Sequence, residues 1–241
     1  MINLIKVKDY EEASDKAFEV MKKFIEPGKV LGLATGSTPL GLYQRMVKDH
    51  KENGTSYKQI KSFNLDEYVG LPITHPESYY AFMHRNLFDH IDIPEENTHV
   101  PSGLGEDLEA QARHYDEMIA ESPVDVQLLG IGSDGHIAFN EPGTAFDSGT
   151  HVTDLAESTI KDNCRFFDND ITKVPTQAVT QGIGTIMKAK SILLIATGAN
   201  KAQAVKDMIE GPIDEKCPAS ILQKHPDVTV IVDEAAASLL K

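Results

Sequence analysis

Four short, nearly unbroken apolar runs rich in β-branched residues set the limits on this fold: VLGLA at 30–34, VQLLGI at 126–131, ILLIA at 192–196 and VTVIV at 228–232. A fifth, SFNL at 62–65, is weaker. A strand with one wet face alternates apolar and polar residues. A strand that is apolar on successive positions must be covered on both faces, the condition of a parallel sheet between layers of helices. The intervening segments carry the helical period. Ala13, Ala17, Val20, Met21 and Phe24 recur at helical spacing, as do Leu108, Ala112, Tyr115 and Ile119 within 106–121. Pro39 opens a helix running to about His50, where its missing N–H leaves no bond unmade. Ser78 to Phe88 and Ala202 to Ile209 read as two more helices. Strands alternating with helices predict an α/β, doubly wound, mostly parallel sheet with helices on both faces, a Rossmann-like architecture.

The 241 residues suffice for one large core. No repeat, low-complexity tract or linker divides them, so a single domain over 1–241 is expected. Residues 143–180 are the least regular stretch, polar and weakly periodic, and predict a mobile lid over a site.

Charge narrows the partners. The net charge is −14 and no Lys/Arg-rich run occurs. That excludes non-specific nucleic-acid binding, which needs clustered cations. Basic residues occur singly, so any bound anion should be small. No apolar stretch approaches the roughly 20 residues needed to cross a bilayer, and the N-terminus, MINLIKVKD, lacks the pattern of a signal peptide. Cys164 and Cys217 match no metal spacing and form no disulfide framework. Two reduced thiols in a cytoplasmic protein is the reading preferred.

Four motifs carry chemistry. After the run at 126–131 comes GIGSDGHIAFNE at 130–141, which places Asp134, His136 and Glu141 within eight residues, just beyond the carboxyl end of a strand, where open α/β sheets bind ligands. An acid, an imidazole and a second acid there suit proton transfer. A plain glycine-rich turn is the structural alternative. A divalent metal is a weaker one, because no further His or Cys supports it.

The second motif, TGSTP at 35–39, follows the first strand and opens a helix. Gly36 permits a tight turn, and the hydroxyls of Thr35, Ser37 and Thr38 lie where a helix N-terminus favours an anion. Simple helix capping fits equally well. The lysine of a P-loop and the glycine spacing of a dinucleotide site are both lacking. The third, NLDEYVG at 64–70, puts Asp66 and Glu67 at the same sheet edge, as a base or merely as caps. The fourth is a scattered pair of cations, Arg165 and Lys201. Lys201 at a helix start opposes the helix dipole unless an anion is near; exposure to solvent is the alternative for both.

TGSTP at 35–39, FNLDEYVGL at 63–71, PESYY at 76–80, GIGSDGHIAFNEP at 130–142 and the segment 191–201 occur in the order seen in the glucosamine-6-phosphate deaminase family, which this chain resembles over nearly its whole length. The resemblance implies conversion of glucosamine 6-phosphate and water into fructose 6-phosphate and ammonia, an aldose–ketose isomerisation coupled to deamination in amino-sugar catabolism. It assigns ring opening to His136, held by Asp134 and Glu141. It assigns C2-to-C1 proton transfer to Asp66, and phosphate binding to Thr35, Gly36, Ser37, Thr38, Arg165 and Lys201. The substrate is a small molecule, and neither a metal nor an organic cofactor is implied.

Some relatives are activated by N-acetylglucosamine 6-phosphate through basic residues just after the catalytic loop. Here that stretch, SGTHVT at 148–153, has neither Arg nor Lys, and the chain ends soon after its last strand. A monomer without such activation is expected. A 6-phosphogluconolactonase or other sugar-phosphate isomerase on the same fold, and a non-catalytic sugar-phosphate sensor, are the alternatives.

Overall fold

The computed structural model describes residues 1–241. Its main sheet has seven strands, numbered here in chain order: β1 (Ile2–Val7), β2 (Val30–Leu33), β3 (Lys61–Asn64), β5 (Thr98–His99), β6 (Val126–Leu129), β9 (Ser191–Ala196) and β10 (Val228–Asp233). The spatial order is β1-β10-β9-β6-β2-β3-β5, and every pairing is parallel. All four residues of β2 and of β6 are buried, as expected of strands covered on both faces.

From β2 the chain moves outward through β3 to β5. It then returns to the other side of β2 as β6 and continues through β9 to β10. The order therefore reverses between β2 and β6. Right-handed crossovers in opposite directions put helices on opposite faces of the sheet, and the reversal opens a crevice at the carboxyl ends of β2 and β6. Those two ends carry the TGSTP and GIGSDGHIAFNE motifs.

The principal helices are α1 (Tyr10–Lys22), α2 (Leu40–Asn53), α3 (Tyr79–Asn86), α4 (Leu108–Glu121) and α7 (Ala202–Glu210), with the shorter α5 (Glu157–Asn163) and α6 (Ile183–Ile186). Local signals explain their ends. Asp9, Ser78 and Asp107 cap α1, α3 and α4 by accepting from a backbone N–H three residues on. Gly54, at φ 71°, ends α2 in the left-handed conformation, three residues past the expected end near His50. Helix α3 stops at Asn86, and a 3₁₀ turn, Phe88–His90, completes the stretch read as one helix.

Residues 143–180 contain more regular structure than their polarity predicted. They hold β7 (His151–Asp154), α5 and β8 (Gln177–Thr180), joined by 3₁₀ turns at Cys164–Phe166 and Ile171–Lys173. Strands β7 and β8 pair antiparallel, and β8 also pairs with β4 (Asp66–Tyr68), making a second sheet in the order β4-β8-β7. A small core of Tyr68, Phe139, Leu155, Phe167, Val174 and Ala178 lies beneath it, apart from the main core. No helix is long and apolar enough to cross a membrane. Cys164 and Cys217 are free.

Candidate active site

A cavity of about 380 Å³ opens at the crevice between β2 and β6, within the size range of small-molecule sites. Residues of all four predicted motifs meet in it. Thr35, Gly36, Ser37 and Thr38 form one wall, Asp66 another, and Asp134 and His136 a third; Arg165 and Lys201 complete it. Of the candidate residues, Glu67 and Glu141 do not line the cavity; Glu141 sits behind His136.

Helix α2 starts directly after Pro39, and no side chain caps it. The capping alternative for the TGSTP hydroxyls is therefore not what the structure adopts. Gly36, at φ 90°, makes a turn that a side chain would strain. The Lys201 ammonium is half-buried and donates to the Ile131 carbonyl at 2.6 Å. Burial pulls its pKa down, and the nearby Arg165 guanidinium adds to this, while Asp162 and Asp134 oppose it. Two cations close enough to repel each other, one of them partly desolvated, favour an anion between them. Arg165 remains exposed, stacked on Phe166 at 4.7 Å.

Asp66 begins β4 and is 6% exposed. Its carboxylate has no hydrogen-bond partner within the chain. Burial, with a contribution from the neighbouring Glu67 charge, pushes its pKa up to about 8. Glu67 has a different part. Its oxygens accept from the backbone N–H groups of Tyr68, Tyr79 and Tyr80, so it holds the start of α3 against β4. Of the two acids, Glu67 caps and Asp66 faces the cavity.

The imidazole of His136 is fixed from its Nδ1 side. Asp134 Oδ1 lies 2.6 Å from Nδ1 and also accepts from the His136 backbone N–H at 3.1 Å; Glu141 Oε2 lies 3.5 Å from the same nitrogen. The hydrogen bond to His136 holds Asp134 well below the usual carboxylate range, whereas burial raises Glu141. Carboxylates on Nδ1 set the tautomer and leave Nε2 for chemistry. Gly132 permits this packing, since a Cβ there would overlap the imidazole ring. Ligand atoms of Asp134, His136 and Glu141 lie within 4.8 Å of one another, a set that could hold a cation. The 2.6 Å Nδ1–Oδ1 separation is that of a charge-assisted hydrogen bond.

Strand β8 braces both halves of the site. Asp66 pairs with Thr180, and the Thr180 hydroxyl accepts from the Phe139 backbone N–H. Asn140 Nδ2 donates to the Gln181 carbonyl at 2.9 Å. Just before these contacts Ala138 takes φ 52°, a rare conformation for a residue with a Cβ.

Several wall residues were not singled out from the sequence. Tyr79, Asp162 and Asn163 line the cavity, and Thr159 both lines it and reaches Glu141. The Tyr79 hydroxyl donates to that of Tyr68, which also accepts from Asn163 Nδ2. Tyr79 lies in the PESYY segment, whose only sequence signal was the resemblance. The others come from α5, where no local pattern marks them.

A sequence model of the family described as glucosamine-6-phosphate isomerases/6-phosphogluconolactonase matches residues 10–231. A glucosamine-6-phosphate deaminase of Thermoanaerobacter pseudethanolicus is 50% identical over 235 residues, 96% of this chain and 92% of that protein. One from Shouchella clausii is 52% identical over 241 residues, 99% of this chain and 97% of that protein. A solved structure of a monomeric glucosamine-6-phosphate deaminase superposes with a TM-score of 0.95 at 44% identity, covering 98% of this chain and 99% of that one. A 6-phosphogluconolactonase from Trypanosoma cruzi shares the fold, with a TM-score of 0.81 at 23% identity over 100% of this chain and 97% of that one. By sequence over nearly all its length, and by a fold that superposes on a solved glucosamine-6-phosphate deaminase, this chain belongs to the glucosamine-6-phosphate isomerase/6-phosphogluconolactonase family.

Proposed function

We propose that the protein converts glucosamine 6-phosphate and water into fructose 6-phosphate and ammonia. The observation that carries this reading is Asp66: a buried carboxylate with no hydrogen-bond partner, its pKa raised to about 8, in one cavity with a carboxylate-held imidazole and two cations. Removal of a proton from carbon needs a base stripped of water, and burial supplies that condition.

The layout supports the following steps. The phosphate sits among the 35–38 turn, Arg165 and Lys201, and its binding energy holds the sugar in place. His136, positioned by Asp134 and Glu141, delivers a proton to O5 as O1 gives up its own, and the ring opens. Asp66 removes the C2 proton, acidified by the protonated amine beside it, and returns it at C1. The resulting C2 imine takes up water and releases ammonia, leaving the ketose phosphate. Every bond change is a proton transfer or an addition–elimination, so the reaction needs no redox partner.

Residues 143–180 act as the lid, since α5 and the turn after it supply one wall and carry Arg165. The enzyme works as a cytoplasmic monomer in amino-sugar catabolism, without activation by N-acetylglucosamine 6-phosphate. Lactone hydrolysis would leave Asp66 without a task, because it has no C–H proton to move.

The test is ammonia release from glucosamine 6-phosphate, with and without N-acetylglucosamine 6-phosphate. Ammonia at the same rate in both is expected. No ammonia, together with hydrolysis of 6-phosphogluconolactone, would overturn the reading.

A further inference from the structure

Glu141 is held from outside its own loop. Its Oε1 accepts from the Thr159 hydroxyl at 2.9 Å. Its Oε2 lies 3.5 Å from His136 Nδ1 and is otherwise buried without a hydrogen-bond partner. Thr159 is 8% exposed and belongs to α5, eighteen residues further along the chain. Helix α5 and the 3₁₀ turn that extends it also carry Asp162, Asn163 and Arg165 to the cavity wall. One short stretch thus touches the phosphate end of the cavity and the carboxylate behind the imidazole.

The geometry gives the hydroxyl a definite effect. A threonine within a helix can satisfy itself on the carbonyl one turn back, whereas this one donates to a carboxylate. A donor on Oε1 fixes the plane of the carboxylate and leaves Oε2 facing Nδ1. Without that donor, a half-buried carboxylate would gain from turning toward water or taking up a proton. The ionisable groups acting on Glu141 are His136 and Asp134, both from its own loop, and α5 presents only the hydroxyl.

We infer that Thr159 is a positioning residue: its hydroxyl sets Glu141 behind His136 and so ties ring-opening competence to the seating of the segment that carries Arg165. This rests on the reaction proposed above. Substrate phosphate drawn to Arg165 orders α5, α5 presents Thr159, and the imidazole is then backed by two carboxylates rather than one.

The test compares ammonia release by wild type, Thr159→Val, Thr159→Ser, Glu141→Gln and the Thr159→Val/Glu141→Gln double variant, across pH. Thr159→Val should lower kcat about tenfold, with KM within about threefold, since the lost bond to a charged group acts on the chemical step. The acid limb of its kcat profile should move to higher pH, because burial already raises Glu141 and the bond that opposes it is gone. Thr159→Ser, which keeps the hydroxyl, should stay within about twofold of wild type. In the Glu141→Gln background Thr159→Val should add less than about twofold, because the two act as one unit. Equal damage from Ser and Val, independent effects in the double variant, or an unchanged pH profile would overturn the inference. If Thr159→Val does not fold, Thr159→Ala is read by the same criteria. A wild-type protein that releases no ammonia would instead refute the parent reading.

Discussion

Asp66 and Glu67 are adjacent in the chain and both buried, 6% and 3% exposed, yet Glu67 accepts three backbone hydrogen bonds and Asp66 accepts none. Successive residues of a strand face opposite ways. Here one direction leads to the N-terminus of α3 and the other to the cavity. The same local sequence thus supplies one acid that holds α3 and one that faces the cavity.

Glu67→Gln should therefore lower stability. A glutamine presents an N–H₂ group to a cluster of N–H donors, and losing charge-assisted bonds at a buried site costs about 1–3 kcal/mol. Urea or thermal unfolding should show a clear decrease. A variant as stable as wild type would contradict the capping role.

Asp66→Asn should have the opposite effect, and only at higher pH. The pKa of Asp66 is raised by burial from 3.8 to about 8. A carboxyl with a raised folded-state pKa contributes stability that is fully present below its unfolded pKa and is lost as pH rises through the folded one. Wild type should therefore lose stability from pH 4 towards pH 8, while the uncharged amide does not. Melting temperatures across that range should diverge, with the variant increasingly the more stable. A constant difference would contradict the raised pKa.

Gly132→Ala should impair catalysis while leaving the main sheet intact. The added Cβ would overlap the His136 ring, so the imidazole must move off its bond to Asp134 and away from Glu141. Misplacing a reactive group by about 1 Å can cost about a hundredfold in rate. Steady-state kinetics beside circular dichroism would reveal that drop with an unchanged fold. Near-normal kcat would show that the tight Gly132–His136 packing has no bearing on the reaction.

The parts of this fold legible in the sequence were those with a strong, short-range signature. Strands β2, β6, β9 and β10 are buried on both faces and so are written as apolar runs. Strand β1 escaped notice because it lies at the sheet edge, where Asn3 and Lys6 are exposed and interrupt the apolar run. The second sheet was hidden because its strands, DEY, HVTD and QAVT, are short and polar, and gain their order from pairing with one another. In the site, Asp134, His136 and Glu141 stood out because they follow a recognisable strand, whereas Asp66 was distinguished from Glu67 only by the family resemblance. Thr159, Asn163 and Tyr79 did not, since their significance arises only when α5 and α3 are folded over residues far away in the chain.

The most direct test of the account is ammonia release by Asp66→Asn, measured beside its binding of fructose 6-phosphate. With the base removed and the phosphate contacts intact, kcat should fall by about 10³-fold while binding changes by less than about threefold. Ammonia release within about tenfold of wild type, below the usual contribution of a general base, would contradict the assignment of Asp66 as the group that moves the C2 proton.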